Sequence, residues 1–328
     1  MTELIRTSPS VLLAEKTARA TTTRRPPFRV ILKQHWMLYA MLLPALILLA
    51  LFHFYPIWGV LIAFKDYSPV KGILDSPWVG LDNFRRFFES QNAWPIIRNT
   101  LFIAIGKIFF VQLAALVFAL MLNEVRIRIF KRAIQTATTL PHFLSWVIIG
   151  GIMVQILSTT GVVNRVIGLL GIAPIRFLGR PDIFPWTLIF SEVWKEFGFA
   201  AVIYLAALTA INPELYEAAA VDGAGRFGRL FHITLPGIRP TIVLMACLSL
   251  GSVLNAGFEQ VLVLYNPVVY RTGDIIDTFV FRVGLVGQGG MPDYGLGAAV
   301  GLLKSGIGFF LILLSYWLAD RFANYRIF

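Results

Sequence analysis

Glu192, Lys195 and Glu196 stand at i, i+3 and i+4 inside an otherwise apolar stretch, Pro185–Ile211. That spacing puts all three on one face of a helix. Ionisable groups in such a setting are costly and turn toward water or a protein interior. The trio therefore either lines a wet path for a hydrophilic cargo or ties helices together by pairing. Asn255 and Glu259, one helical turn apart with Gln260 beside them, pose the same choice in the next apolar stretch. Lys107 and Lys304 also lie within apolar stretches, and Lys304 reads as a snorkelling or helix-bridging residue.

A second constellation lies between those two stretches, in Glu217-Ala218-Ala219-Ala220-Val221-Asp222-Gly223 followed by Ile233-Thr234-Leu235-Pro236. Asn212-Pro213-Glu214 is a helix start: the amide caps free N–H groups, proline suits the first turn, and the carboxylate meets the positive helix end. Leu215 to Asp222 then forms a short helix whose small alanines allow close approach of another surface. Gly223 takes the left-handed conformation that ends a helix. A second helix from about Arg226 is expected to carry Phe227, Leu230 and Phe231 inward, with Leu235-Pro236 stopping it. The product is a rigid acidic elbow. An interfacial helix lying passively in headgroups would favour Lys and Arg, whereas this one carries Glu214, Glu217 and Asp222 and no base.

Chemistry of other kinds is not encoded. There is no G-x4-G-K-[ST] phosphate loop; Gly297 to Ser305 approaches one, but Leu303 precedes Lys304 where glycine is required. No nucleophile elbow or H-E-x-x-H zinc motif occurs. His35, His53, His142 and His232 have no partner at metal-ligand spacing and read as structural, so no metal site is expected. The single cysteine, Cys247, sits in an apolar run as a small buried group.

These groups need helices in a membrane to position them. Of 328 residues 57% are hydrophobic and only 14% charged, against about 25% charged in soluble domains. The apolar residues fall into six blocks near Trp36–Phe64, Ile96–Leu122, Leu140–Leu157, Pro185–Ile211, Thr241–Leu264 and Gly295–Ala319. Each is read as a crossing of about 30 Å of hydrocarbon. The first block, lacking an A-x-A-like cleavage site, is read as a retained helix. Sixteen Lys and Arg fall in the N-terminal, second-to-third, fourth-to-fifth and C-terminal segments, and nine in the alternate connections, with Arg98 just inside the second block. That bias places both termini and the Glu217 loop in the cytoplasm. The net charge of +11 invites a nucleic-acid reading, but that distribution argues against it and no nucleic-acid module accompanies it. Residues 1–34 are expected to be a cytoplasmic tail whose Arg24, Arg25, Arg29 and Lys33 meet lipid headgroups. Residues 35–328 form the membrane domain with the loop 212–236. The connections 65–95, 158–184 and 265–294 are long enough to be ordered caps.

The spacing E-A-A-x3-G-x9-I-x-L-P over residues 217–236 resembles the cytoplasmic coupling loop of the membrane-spanning subunits of ATP-binding-cassette importers. Leu140-Pro141-His142-Phe143-Leu144-Ser145-Trp146-Val147 is similar to the opening of the third helix in permeases of the polysaccharide and multiple-sugar type. From about residue 30 to the end the chain resembles that group, including the maltose-transporter type of fold and alginate importers. The resemblance implies an all-α, six-helix type I importer permease in the bacterial inner membrane. It implies coupling through Glu217, Ala218, Ala219, Asp222, Gly223, Ile233, Leu235 and Pro236, with Glu217 meeting a basic residue of the ATPase. The implied partners are a second, non-identical permease, two ATPase subunits that use ATP and Mg, a sugar-binding protein outside and a saccharide cargo. No cofactor is expected on this chain. Trp194, Phe197, Phe199, Tyr204 and Phe258 could then stack on sugar rings beside Glu192, Lys195, Glu196, Asn255 and Glu259. Arg165, Arg176 and Arg180 would suit an anionic saccharide, though neutral ones fit the residues equally.

Two other classes compete. A membrane enzyme acting on lipid-linked sugar would use Glu192 and Glu196 as a carboxylate pair, but one turn of one helix opposes a glycosidic bond poorly. An ion-coupled secondary transporter would show paired repeats with broken helices, and no 20–50-residue repeat is found.

Overall fold

The computed structural model describes residues 33–251, 253–287 and 290–323. The expected tail lies outside these residues except for its last two positions. Among them the structure is helical, with one isolated β-bridge between Lys65 and Trp78. The chain divides into two units after Trp58.

The first unit carries helix α1, Trp36–Leu49, apolar throughout its length. A π-turn at Ala50–Phe54 follows, and then the 3-10 segment that opens at Tyr55. Pro56 lacks the N–H that an α-helix needs at this point, and a widened turn is the usual accommodation.

The second unit is built on two long helices, α3 (Ala93–Glu124) and α7 (Phe184–Thr209), after the short helix α2 (Asp82–Glu89). Small residues let α3 and α7 approach. Ala115, Ala119 and Ala201 are fully buried with Tyr204 and Ile238, and a Cβ on Gly106 would collide with Ile189. Lipid tails offer helices no hydrophobic contrast, so close van der Waals contact of this kind holds them together. Between them run α4 (Arg128–Thr139), α5 (Trp146–Ile156) and α6 (Val162–Leu169). A Cβ on Gly198 of α7 would strike the Thr138 carbonyl, which brings α4 against α7.

After α7 come α8 (Pro213–Val221), α9 (Arg226–Arg229), α10 (Leu235–Gly251), α11 (Phe258–Leu264), α12 (Ile276–Phe281) and α13 (Tyr294–Ala323). Asparagines, three of them buried and Asn266 half-buried, staple the connections. Asn164 binds the Ser158 and Ile175 carbonyls and accepts from the Ile175 amide. Asn83 donates to the Ala63 and Lys65 carbonyls, Asn99 to those of Arg271 and Asp274, and Asn266 to that of Leu178. An amide in such a place satisfies the backbone groups that a buried loop leaves open.

Among the described residues, the helices long and apolar enough to cross a membrane are Trp36–Phe64, Ala93–Glu124, Arg226–Gly251 and Tyr294–Trp317, and two bent pairs raise the number to as many as six. Two expected spans change shape. The third is not a single rod: helix 128–143 meets helix 146–156 at a 104° bend, where Ser145 caps the new helix at the Ile148 amide. The fifth starts earlier than Thr241 and stops at Gly251, and the chain resumes as α11 only at Phe258. Gly257, at φ +87°, marks the break. Leu235-Pro236 does not stop the preceding helix either. It runs from Arg226 to Gly251 through a π-turn at Leu230–Thr234, whose wider ring takes up the missing proline N–H.

Candidate functional site

The elbow forms much as its residues dictate. Asn212 Oδ1 accepts the Glu214 amide at 3.1 Å, and Pro213 occupies the first turn of α8. At the other end the Ala224 amide reaches the Ala219 carbonyl at 2.8 Å and the Gly223 amide reaches Ala220 at 3.2 Å. With Gly223 at φ +76° this pair of bonds is a Schellman cap. The axis turns by 68° between α7 and α8. Tyr216 Oη lies 3.1 Å from Thr234 Oγ1, joining α8 to the π-turn. Glu217, Ala218, Asp222 and Gly223 are exposed and Ala219 is half-buried. Ile233 lies within the π-turn, and Leu235 and Pro236 open α10. Contrary to expectation, Phe227 and Phe231 do not point inward; they are 77% and 60% exposed. The elbow thus presents an acidic, small-residue face with bulky rings beside it.

The ionisable trio of α7 resolves into two pairs with different partners. Glu192 Oε2 is 3.4 Å from Lys107 Nζ of α3. That ammonium also donates to the Ala256 carbonyl at 2.6 Å and to Gln260 Oε1. Gln260, fully buried, passes the network back to α7 through the Leu188 carbonyl and Ser191 Oγ, each at 2.8 Å. Lys195 instead donates to Glu196 at 2.8 Å and to the His142 carbonyl at 3.0 Å. Glu196 also holds His142 Nδ1 at 2.7 Å, while the imidazole stacks on Phe199 at 3.9 Å. Trp146 lies 5.8 Å from the Lys195 ammonium. Every one of these charges has a counter-charge, the arrangement that makes ions tolerable in a bilayer.

Glu192, Glu196 and Asn255 nevertheless share a cavity of about 250 Å³ with Lys107, Gln112 and Ser249. Tyr204 donates to Gln112 at 2.7 Å and Gln112 to Ser249 at 3.0 Å, which extends the polar lining along α3, α7 and α10. Asn255 Oδ1 also accepts from Lys304 at 3.1 Å, and Lys304 pairs with Asp277 at 2.7 Å. Lys304 is thus the bridge its position suggested. Two expectations fail. Asn255 and Glu259 are not one turn apart on one helix, because the chain breaks between them. Glu259 is exposed and does not line the cavity with the others. Lys107, which the sequence marked only as a charged residue in an apolar stretch and not among the pathway residues, stands at the centre of this network.

Residues 112–324 match the family described as "Binding-protein-dependent transport system inner membrane component". The chain belongs to that family. This permease is 44% identical over 292 residues to Protein LplB of Bacillus subtilis, covering 89% of the permease and 91% of LplB. It is 40% identical to the polygalacturonan/rhamnogalacturonan transport system permease protein YteP of the same organism, covering 92% and 93%. Among solved structures it resembles a chain of a bacterial ABC transporter that imports the acidic polysaccharide alginate, with TM-score 0.79 and 39% identity over 89% of the permease and 97% of that chain. A chain of the alginate transporter in complex with its pentasaccharide-bound periplasmic protein gives TM-score 0.81 and 37% identity over 92% and 99%. The type I importer fold expected from the elbow motif is therefore the fold found, and the permease is a multi-pass membrane protein.

Proposed function

We propose that the permease forms half of the translocation pathway of an ATP-driven importer for acidic oligo- or polysaccharides of the uronate class, alginate among them. The capped acidic elbow between α7 and α10 is the observation that carries this reading. It is rigid at both ends, exposes Glu217 and Asp222, and continues directly into helices that line the polar cavity. Two ATPase subunits dock on the elbow from the cytoplasm and supply ATP and Mg chemistry, while this chain binds no cofactor and hydrolyses nothing. A second, non-identical permease closes the pathway, and a solute-binding protein delivers cargo on the opposite face. The chain crosses the inner membrane six times with both termini inside, the bent stretch 128–156 supplying the third crossing and α7 the fourth, with α8 folded back on the cytoplasmic side. ATP-driven closure moves the elbow and tilts α7 and α10, shifting a two-state equilibrium between outward and inward access.

The uronate class is supported by the substrates of YteP and of the alginate transporter. The cavity suits saccharide hydroxyls: Glu192, paired with Lys107, and Glu196, paired with the buried Lys195 behind the lining, are balanced in charge and leave amides, hydroxyls and carboxylate lone pairs for hydrogen bonds. The test is reconstitution of the co-expressed assembly in vesicles, with uptake of oligouronates and of neutral oligosaccharides followed with and without ATP. Uptake of the uronates that requires ATP and a bound ATPase is expected. Uptake at the same rate without nucleotide, or purification without any ATPase, overturns the reading.

A further inference from the structure

A second cavity, of about 460 Å³, lies between the last turn of α3 and the elbow. Arg126, Arg226 and Arg229 line it, with Glu124 as its one carboxylate. None of the three guanidiniums has an ion-pair partner among the described residues. Arg229 Nε is buried and makes no hydrogen bond. Among the other enclosed cations of the described residues, Lys107, Lys195 and Arg282 each have a counter-charge, although Arg282 Nε, like Arg229 Nε, makes no hydrogen bond of its own. Three unpaired guanidiniums around one carboxylate leave a net positive, donor-rich hollow. Guanidinium forks match the tetrahedral oxygens of a phosphate better than any other side chain does.

The rest of the lining identifies the source of that phosphate. Leu120, Met121 and Phe227 flank the arginines, and Met121 and Phe227 are 66% and 77% exposed. An inorganic or soluble phosphate has no use for such rims, whereas a lipid has acyl chains to lay against them. The position also fits. The cavity sits where an apolar helix ends and a short surface helix begins, the depth at which headgroups lie.

We propose that this cavity seats the phosphodiester headgroup of an anionic phospholipid. The bound lipid bridges Arg126 at the end of α3 to Arg226 and Arg229 at the root of the elbow, so lipid occupancy stiffens the joint through which force passes. The proposal rests on the reading that the elbow lies at the cytoplasmic membrane surface.

The test uses the intact importer assembly purified from membranes, with retained phosphatidylglycerol and phosphatidylcholine counted by native mass spectrometry. Preferential retention of phosphatidylglycerol is expected. Each Arg→Gln change at 126, 226 or 229 should lower it roughly fivefold, the attraction of one basic residue to an anionic surface. Glu124→Gln should raise retention, and this variant keeps the proposal falsifiable if the arginine variants do not fold. Equal retention of both lipids, or no response to Glu124→Gln, overturns the proposal. Displacement of the lipid by inorganic phosphate alone would assign the site to a soluble anion. Loss of the ATPase subunits without change in lipid retention would assign the arginines to a protein carboxylate, and would also defeat it. ATP-dependent uptake in vesicles that contain phosphatidylglycerol separately reports whether the importer reading stands.

Discussion

Lys107 Nζ donates to the main-chain carbonyl of Ala256 at 2.6 Å, joining the middle of one long helix to the point where another is broken. The bond explains why the chain can stop being helical at Gly251 inside a membrane domain. A broken helix leaves carbonyls without partners, which hydrocarbon does not forgive. The ammonium, with Gln260 beside it, satisfies the break from across the bundle.

Lys107→Met should therefore do more than remove a charge. It strips Glu192 of its cation and the Ala256 carbonyl of its donor, and breaking a buried pair on one side costs about 3–5 kcal/mol. A marked fall in the melting temperature of the purified assembly is expected, together with loss of uptake. The double variant with Glu192→Gln should recover much of the stability. An unaltered melting temperature in Lys107→Met alone would mean the break is held by something else.

Gly257→Ala should be damaging for two separable reasons. Its φ of +87° disfavours any side chain, and the new methyl would meet Lys107 Nζ. The backbone part costs about 1–2 kcal/mol. Combining it with Lys107→Met removes the collision, so the two changes should cost less together than their sum in a double-mutant cycle.

Glu217→Lys is expected to leave assembly partly intact while uncoupling ATP hydrolysis from uptake. The side chain is exposed and makes no ion pair within 4 Å among the described residues, so folding should hardly notice the reversal. Normal transport by the reconstituted variant would show that the elbow does not carry force.

Gly223→Ala and Gly223→Asn separate backbone conformation from contact at the same elbow. A Cβ there meets nothing within 4 Å. The penalty is then conformational alone, about 1 kcal/mol for alanine and less for asparagine, which tolerates the left-handed region better. Uptake rates should rank glycine above asparagine above alanine. Equal loss with both would point to a partner surface packed on the glycine itself.

What could be read from the chain beforehand was local. Asn212, Pro213 and Gly223 act within a few residues of themselves, so the elbow's caps were legible from their order alone. The long apolar blocks gave the helices for the same reason. The non-helical stretch ahead of Phe258 was not legible, because the group that satisfies the Ala256 carbonyl is Lys107, 149 positions away. Nor was the fate of the α7 trio. Helical spacing put Glu192, Lys195 and Glu196 on one face, but which cation each carboxylate takes depends on α3 and on the 3-10 turn holding His142. Glu259 was misplaced by assuming a continuous helix. One glycine at positive φ was enough to turn it away from Asn255.

The π-turn at Leu230–Thr234 has a consequence for how the elbow is aimed. Such a turn fits one more residue into a coil than its neighbours do. Deleting a single residue there would let the coil tighten, and would swing α8 about the axis of α10 by roughly 100°. The direction in which the acidic face looks is thus stored as a counting error of one, kept where Pro236 makes it cheap to keep.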